Sequence, residues 1–206
     1  MLHSPYKIVQ MFEEEVAHYT GAPYAVSLDS CTNAIFLACK WAGVEGKEVT
    51  IPLQTYLSPP QSIRRAGGTL VFEDLAWGGI YQLKPFPIYD AAKRFTSGMY
   101  ITGSLMCLSF HIKKHLKIGK GGMILCDSKE AARWFKSRRY EGRTDGMKYH
   151  EDTIDEEGWN MYMSPEQAAR GLMLMQNYPH TALDLSEDPP YRRLTEFELF
   201  KDVKIA

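Results

Sequence analysis

The chain has 206 residues, 45% hydrophobic and 24% charged, with a net charge of -1, which is the profile of a soluble globule of one domain, two at most, able to bury a sizeable core. That balance gives no reason to expect nucleic acid or a membrane surface as partner, and no run of about 18 apolar residues is present to span a bilayer. The first residues, Met1-Leu2-His3-Ser4-Pro5-Tyr6-Lys7, lack a hydrophobic signal segment.

Ile8, Phe12 and Val16 recur every fourth residue and Gly21 follows, so the spacing predicts a helix over 6–19. Residues 25–28 read as a short strand. Asp29-Ser30-Cys31-Thr32-Asn33 then leads into an apolar helix over 34–42. Hydroxyls at a helix N-terminus suit an anion held by the free backbone N–H groups, although ordinary capping by Ser30 or Thr32 is the more common use of such residues. A strand over 48–52 ends in proline. Gln54-Thr55-Tyr56 precedes a helix with Ser58 as cap, Pro59 in the first turn and Gly67 as stop. Residues 69–74 form another strand. The stretch 75–87 holds Trp77-Gly78-Gly79 and Lys84-Pro85-Phe86-Pro87 and reads mostly as loop. A strand then ends at Asp90, which by itself fits a carboxylate capping a turn.

Two apolar runs, 105–110 and 123–126, flank the most distinctive segment. Between them lie Lys113, Lys114, Lys117, Lys120, His111, His115 and three glycines. A basic, glycine-rich loop pinned between buried strands suits an anionic ligand or a reactive lysine, and a solvated basic loop fits the composition as well. Asp127-Ser128-Lys129-Glu130 carries a capping-box pattern opening a helix to about 138. Arg133, Lys136, Arg138, Arg139 and Arg143 interleave with Trp134, Phe135 and Tyr140. A nucleic-acid surface is one reading of that segment and of 113–120, but the neutral total favours a solvated helix face. Residues 148–158 are acidic. Ser164-Pro165-Glu166-Gln167 opens a helix over 164–178 with Ala168, Leu172 and Met175 on its apolar stripe. After Asp188-Pro189-Pro190 comes one short amphipathic helix over 194–200. Cys31, Cys39, Cys107 and Cys126 sit in apolar stretches without Cys-x-x-Cys spacing. That points to buried free thiols in a reducing compartment, the cytoplasm, rather than to a metal site or disulfides.

Ser109-Phe110-His111-Ile112-Lys113-Lys114 followed by Gly119-Lys120-Gly121-Gly122 resembles the Ser-Phe-His-x-x-Lys…Gly-Glu-Gly-Gly segment of the DegT/DnrJ/EryC1/StrS aminotransferases, fold-type-I enzymes that use pyridoxal 5'-phosphate (PLP). In that pattern Lys114, in register with both Ser109 and the glycine pair, is the Schiff-base lysine and Ser109 contacts the cofactor. Ser30-Cys31-Thr32-Asn33-Ala34 resembles the phosphate-holding Ser-Gly-Thr-x-Ala, with Cys31 in place of the glycine and Thr32 in place. Tyr56 takes the position of the aromatic ring over the pyridine, and Asp90 of Ile88-Tyr89-Asp90-Ala91-Ala92-Lys93 that of the carboxylate facing the pyridine nitrogen. Lys93 stands where the family has Gln or His. Gly158-Trp159-Asn160-Met161-Tyr162-Met163 resembles Gly-Tyr-Asn-x-Arg-Met, whose Asn, here Asn160, reaches the partner's cofactor phosphate.

The resemblance covers roughly residues 8–178. The family's long insert before Asp-Ala-Ala is cut to the fifteen residues between Asp74 and Asp90, and nothing in 179–206 resembles its C-terminal small domain. It implies a three-layer α/β/α sandwich with a mostly parallel sheet, a PLP-binding large domain over 1–178 and a tail over 179–206. It implies a cytoplasmic homodimer with shared active sites that transfers an amino group from an amino acid, glutamate by analogy, to a keto-sugar nucleotide. The alternative is a shortened PLP-fold protein that binds cofactor or partner without turnover.

Overall fold

The computed structural model describes residues 6–187 and 190–206. The first residues of the chain, and Asp188 and Pro189 of the predicted proline break, lie outside the described residues. The elements are α1 (Lys7–Thr20), β1 (Tyr24–Leu28), α2 (Cys31–Trp41), β2 (Glu48–Pro52), α3 (Ser58–Arg65), β3 (Thr69–Glu73), β4 (Tyr81–Gln82), β5 (Ile88–Asp90), β6 (Leu105–Ser109), β7 (Gly122–Cys126), α4 (Lys129–Arg138) and α5 (Pro165–Met175).

The main sheet has the order β1-β7-β6-β5-β4, and β2 pairs with β3 beside it. A bridge between Thr50 and Lys84, with Thr50 N–H donating to the Lys84 carbonyl at 2.9 Å and the reverse bond at 3.0 Å, ties the β2–β3 pair to the end of β4. Following the pairings, β1, β2, β3, β5 and β6 run one way and β4 and β7 the other. The two reversed strands account for the antiparallel ladders in a sheet whose remaining strands share one direction.

Alternate residues of the central strands face opposite ways, as a pleated strand requires. Ile124 and Cys126 of β7 and Leu105 and Cys107 of β6 pack with α2, α3 and α4. Met123 and Leu125, with Met106 and Leu108, pack with α1 and α5. Two cores on two faces make the three-layer sandwich expected from the sequence.

Several local expectations change. Helix α1 buries Val9, not Ile8, beside Phe12 and Val16, and it also buries Glu13. Helix α2 begins at Cys31, three residues early, because Ser30 caps it by accepting the Asn33 N–H. The capping box expected at α4 does not close, since Ser128 is the cap and the residue three on is Ala131, whose methyl group cannot return the bond. The one expected at α5 is complete, with Ser164 and Gln167 exchanging bonds. The loop over 75–87 contains β4, and the helix expected over 194–200 is two single 3-10 turns, Leu194–Glu196 and Glu198–Phe200. All four cysteines are free. Cys39, Cys107 and Cys126 are buried and Cys31 is partly so. No described helix is long and apolar enough to cross a membrane.

Candidate active site

Strands β1, β2, β5 and β6 run in the same direction and end at one edge of the sheet, where a cavity of about 540 Å³ opens. This is the carboxyl edge, where open α/β sheets place their ligand sites. The chain leaving β1 supplies Cys31 and Thr32 at the first turn of α2. The chain leaving β2 supplies Thr55 and Tyr56. Asp90 ends β5, with Lys93 just beyond, and Ser109 ends β6 with Lys114 in the loop that follows. The reversed strand β7 starts at the same edge, so Lys120 and Gly121 reach the cavity from its N-terminal side. Seven of the eight sequence-predicted residues therefore share one cavity.

Gly122 explains the glycine pair physically. A Cβ there would lie 2.3 Å from the backbone of Ser30 and Cys31, so only glycine lets β7 pass directly behind the start of α2. The same contact fixes the α2 N-terminus relative to the lysine loop. The loop itself folds as a turn, with Lys114 N–H donating to the His111 carbonyl at 2.8 Å. Lys114 points inward, its side chain 16% exposed.

Asp90 is buried and doubly held. Its Oδ1 accepts the Ala92 N–H at 2.9 Å and its Oδ2 accepts the Tyr81 hydroxyl at 2.9 Å. Tyr81 in turn accepts from the Thr55 hydroxyl at 3.0 Å. Burial pushes the Asp90 carboxyl above the ordinary carboxylate range, while those two bonds and the charges of Lys114 and Lys93 pull it back. Burial, together with the Asp90 charge, likewise pushes the Cys31 thiol up. The thiol lies 3.6 Å from the Cys107 carbonyl, directed at the sheet. Tyr56 is 58% exposed at the rim, its ring 6.2 Å from that of Tyr191. Lys93 is buried, with its ammonium 5.0 Å from the Trp77 ring and 5.3 Å from the Tyr191 ring. Burial pulls its pKa down, and Glu187 pulls it back up.

Asn160 is the predicted residue that does not join the cavity. It is exposed, pairs through its backbone with Tyr140, and donates its side-chain amide to Glu141 at 3.1 Å.

Sequence reasoning missed the opposite wall. Leu185, Ser186, Glu187 and Tyr191 form it, on a strap whose described residues, 183–187 and 190–191, lie at the cavity mouth. Leu185 N–H donates to the Lys93 carbonyl at 2.9 Å, and Arg94 holds Asp184 through two bonds at 2.8 and 2.5 Å. The 75–87 stretch is the strap's seat. Trp77 lies parallel to Tyr191 with centroids 6.4 Å apart, and Gly79 leaves the space that the Asp184 carboxylate fills. No local pattern could announce this wall, because its two halves lie about a hundred residues apart.

The residues present suit PLP: a helix N-terminus for the phosphate, a buried carboxylate braced toward the cavity, and an inward lysine. Comparison with known proteins agrees. The model of the DegT/DnrJ/EryC1/StrS aminotransferase family matches residues 1–102 and 98–183. The chain belongs to this family. Among curated relatives it is similar to the spore coat polysaccharide biosynthesis protein SpsC of Bacillus subtilis, at 27% identity over 80% of this chain and 55% of that protein. It is also similar to the GDP-perosamine synthase of Escherichia coli O157:H7, at 26% identity over 82% and 57%. The chain thus spans a little over half the length of these relatives. The aminotransferase of Psychrobacter cryohalolentis superposes with a TM-score of 0.71 at 18% identity, over 82% of this chain and 56% of that one, a likeness of fold. Solved structures of the same fold include PLP and pyridoxamine-phosphate (PMP) forms of a sugar aminotransferase of Streptococcus pneumoniae.

Proposed function

We propose that this chain is a PLP-dependent aminotransferase acting on a nucleotide-sugar-type substrate. The observation that carries it is the meeting of Lys114, Asp90 and the α2 N-terminus in one cavity at the carboxyl edge of the sheet. PLP, when bound, supplies an electron sink for the transfer of an amino group. Lys114 is the amine that would hold it covalently, and the same Nζ would carry the proton between donor carbon and cofactor. Asp90 would keep the pyridine nitrogen protonated. Cys31, Thr32 and Ser109 would receive the phosphate, and the turn of the Cys31 side chain toward Cys107 supports room for it there. Tyr56 would face the ring from the rim and Lys93 from the wall.

The donor is an amino acid, glutamate in this reading, and the acceptor a keto-sugar nucleotide. The names of the relatives support the sugar class. The purified protein with added PLP should absorb in the visible, and borohydride should fix the adduct on Lys114. An adduct on Lys113 or Lys117, or none, overturns the assignment.

The active unit is a homodimer in this proposal, working in the cytoplasm, with Asn160 reaching the partner's phosphate site. The exposure of Asn160 outside its own cavity supports that role. Sedimentation should give a dimer tightened by PLP, since a ligand bound across an interface favours association. The second reading, cofactor binding without turnover, is favoured by Cys31 in place of the family's glycine. Single-turnover conversion of bound cofactor by an amino acid separates the two.

A further inference from the structure

Glu187 is carried into the cavity by chain that is anchored on both sides of it. Before it, His115 Nε2–H donates to the Leu183 carbonyl at 2.8 Å, beside the Asp184–Arg94 pair and the Leu185–Lys93 bond. After it, Gln54 donates to the Tyr191 carbonyl at 2.9 Å, and Leu194 N–H donates to the Leu53 carbonyl at 2.9 Å. None of these anchors uses Lys114. Glu187 Oε1 nonetheless lies 4.0 Å from Lys114 Nζ, and the same oxygen accepts the Tyr191 hydroxyl at 2.6 Å. Tyr191 is itself fixed by its parallel contact with Trp77. The carboxylate is thus aimed before the lysine meets it.

We propose that Glu187 is a positioning residue for Lys114, a counter-charge supplied by the strap that sets where the lysine amine stands in the cavity. The proposal rests on the reading of Lys114 as the cofactor lysine. Other charged or titratable groups also face Lys114. Asp90 lies at the end of β5 and Cys31 at the start of α2, and both feel the Lys114 charge. Lys93 does so from the turn after β5. Tyr191 comes from the strap, and His111 and Lys113 from Lys114's own loop. Of the two carboxylates, Asp90 already accepts two strong bonds, whereas the Tyr191 bond on Glu187 is the one that orients it. Glu187 is therefore the carboxylate left to pair with the amine.

Two measurements test this, one of them without cofactor. With PLP bound, the pH midpoint of the visible band reports the charge next to the lysine–cofactor link. Removing a neighbouring negative charge disfavours the protonated form, so Glu187→Gln should lower that midpoint by about half a unit, the scale of a partly exposed ion pair. In the cofactor-free protein, acylation of Lys114 by acetic anhydride, followed by peptide mass spectrometry, should run about two- to five-fold faster in Glu187→Gln. Tyr191→Phe keeps the ring and loses the orienting hydroxyl, and should move both readouts the same way by less. Glu198→Gln, which breaks a surface pair with Lys201, should move neither. A visible band with an unchanged midpoint and unchanged acylation would leave Glu187 a plain wall residue and overturn the pairing, with the cofactor reading intact. A wild-type protein with no visible band but an acylation rate that still responds to Glu187→Gln would keep the pairing and sink the cofactor reading.

Discussion

The Tyr81 hydroxyl donates to Asp90 Oδ2 across 2.9 Å, joining the reversed strand β4 to the end of β5. The bond is buried, and Thr55 extends it from the chain after β2 by donating to the Tyr81 hydroxyl. Three segments thereby fix the direction of one buried carboxylate, and the outcome of replacing it follows from the cost of that burial.

Asp90→Asn removes a charge that burial opposes. A carboxyl whose folded pKa is raised binds its proton more tightly folded than unfolded. Stability then falls as pH rises through the window between its unfolded value and its higher folded value. The neutral Asn escapes that loss, so at pH 7 the variant should be at least as stable as the wild type by chemical denaturation. Its amino-transfer rate should fall by about 10²-fold or more, the scale of losing a key electrostatic partner. Turnover equal to the wild type would remove Asp90 from the chemistry.

Glu13 makes the opposite prediction. It is buried on α1, where it accepts from the Ser27 N–H and hydroxyl, each at 2.9 Å, and pairs with Arg139 and, at 3.3 Å, with Lys136. Burial raises its pKa, but the charges of Arg139 and Lys136 and the Ser27 bond outweigh that, leaving it lowered overall. A depressed carboxylate stabilises the fold above its unfolded value and loses that contribution as pH falls through the folded value. Glu13→Ala leaves Arg139 buried without its carboxylate and should cost about 3–5 kcal/mol at pH 7, with the difference from wild type shrinking in acid.

Gly79→Ala should detach the strap. Gly79 has φ of +68°, and a Cβ there would fall 2.1 Å from the Asp184 carboxylate. Strain of this kind costs about 1–3 kcal/mol. Neither Gly79 nor Asp184 belongs to the two buried clusters, so global unfolding should change less than the rate of limited proteolysis within 183–191. Cleavage there at the wild-type rate would show that Gly79 is not the strap's seat.

Gly171→Ala probes the α1–α5 contact. Its Cβ would meet the Phe12 ring at 2.6 Å and Ile118 at 2.9 Å. Helix propensity favours Ala, but overpacking of about 1–3 kcal/mol should dominate. A more stable variant would mean that Phe12 has room to turn away.

The order of strands and helices was readable because each rests on short-range chemistry: the apolar periods, Ser30 as cap, Gly21 as stop, and the Ser164–Gln167 box. The cavity residues were readable for a related reason. Cys31, Thr32, Asp90, Ser109 and Lys114 each sit at the end of a strand or in the chain that leaves it, and a sheet with those strands aligned brings their ends together. Glu13 was not readable, since a glutamate on an apolar stripe looks like a solvated position until Arg139, 126 residues later, is seen to meet it. Nor was the strap. The sequence showed 75–87 and the tail beyond 178 as two departures from a family pattern, each featureless alone. Only in the folded chain do Trp77 and Gly79 prove to be the surface on which Tyr191 and Asp184 rest. Local interactions are written in neighbouring residues, whereas a wall closed by ends so distant in sequence exists only once the sheet between them has formed.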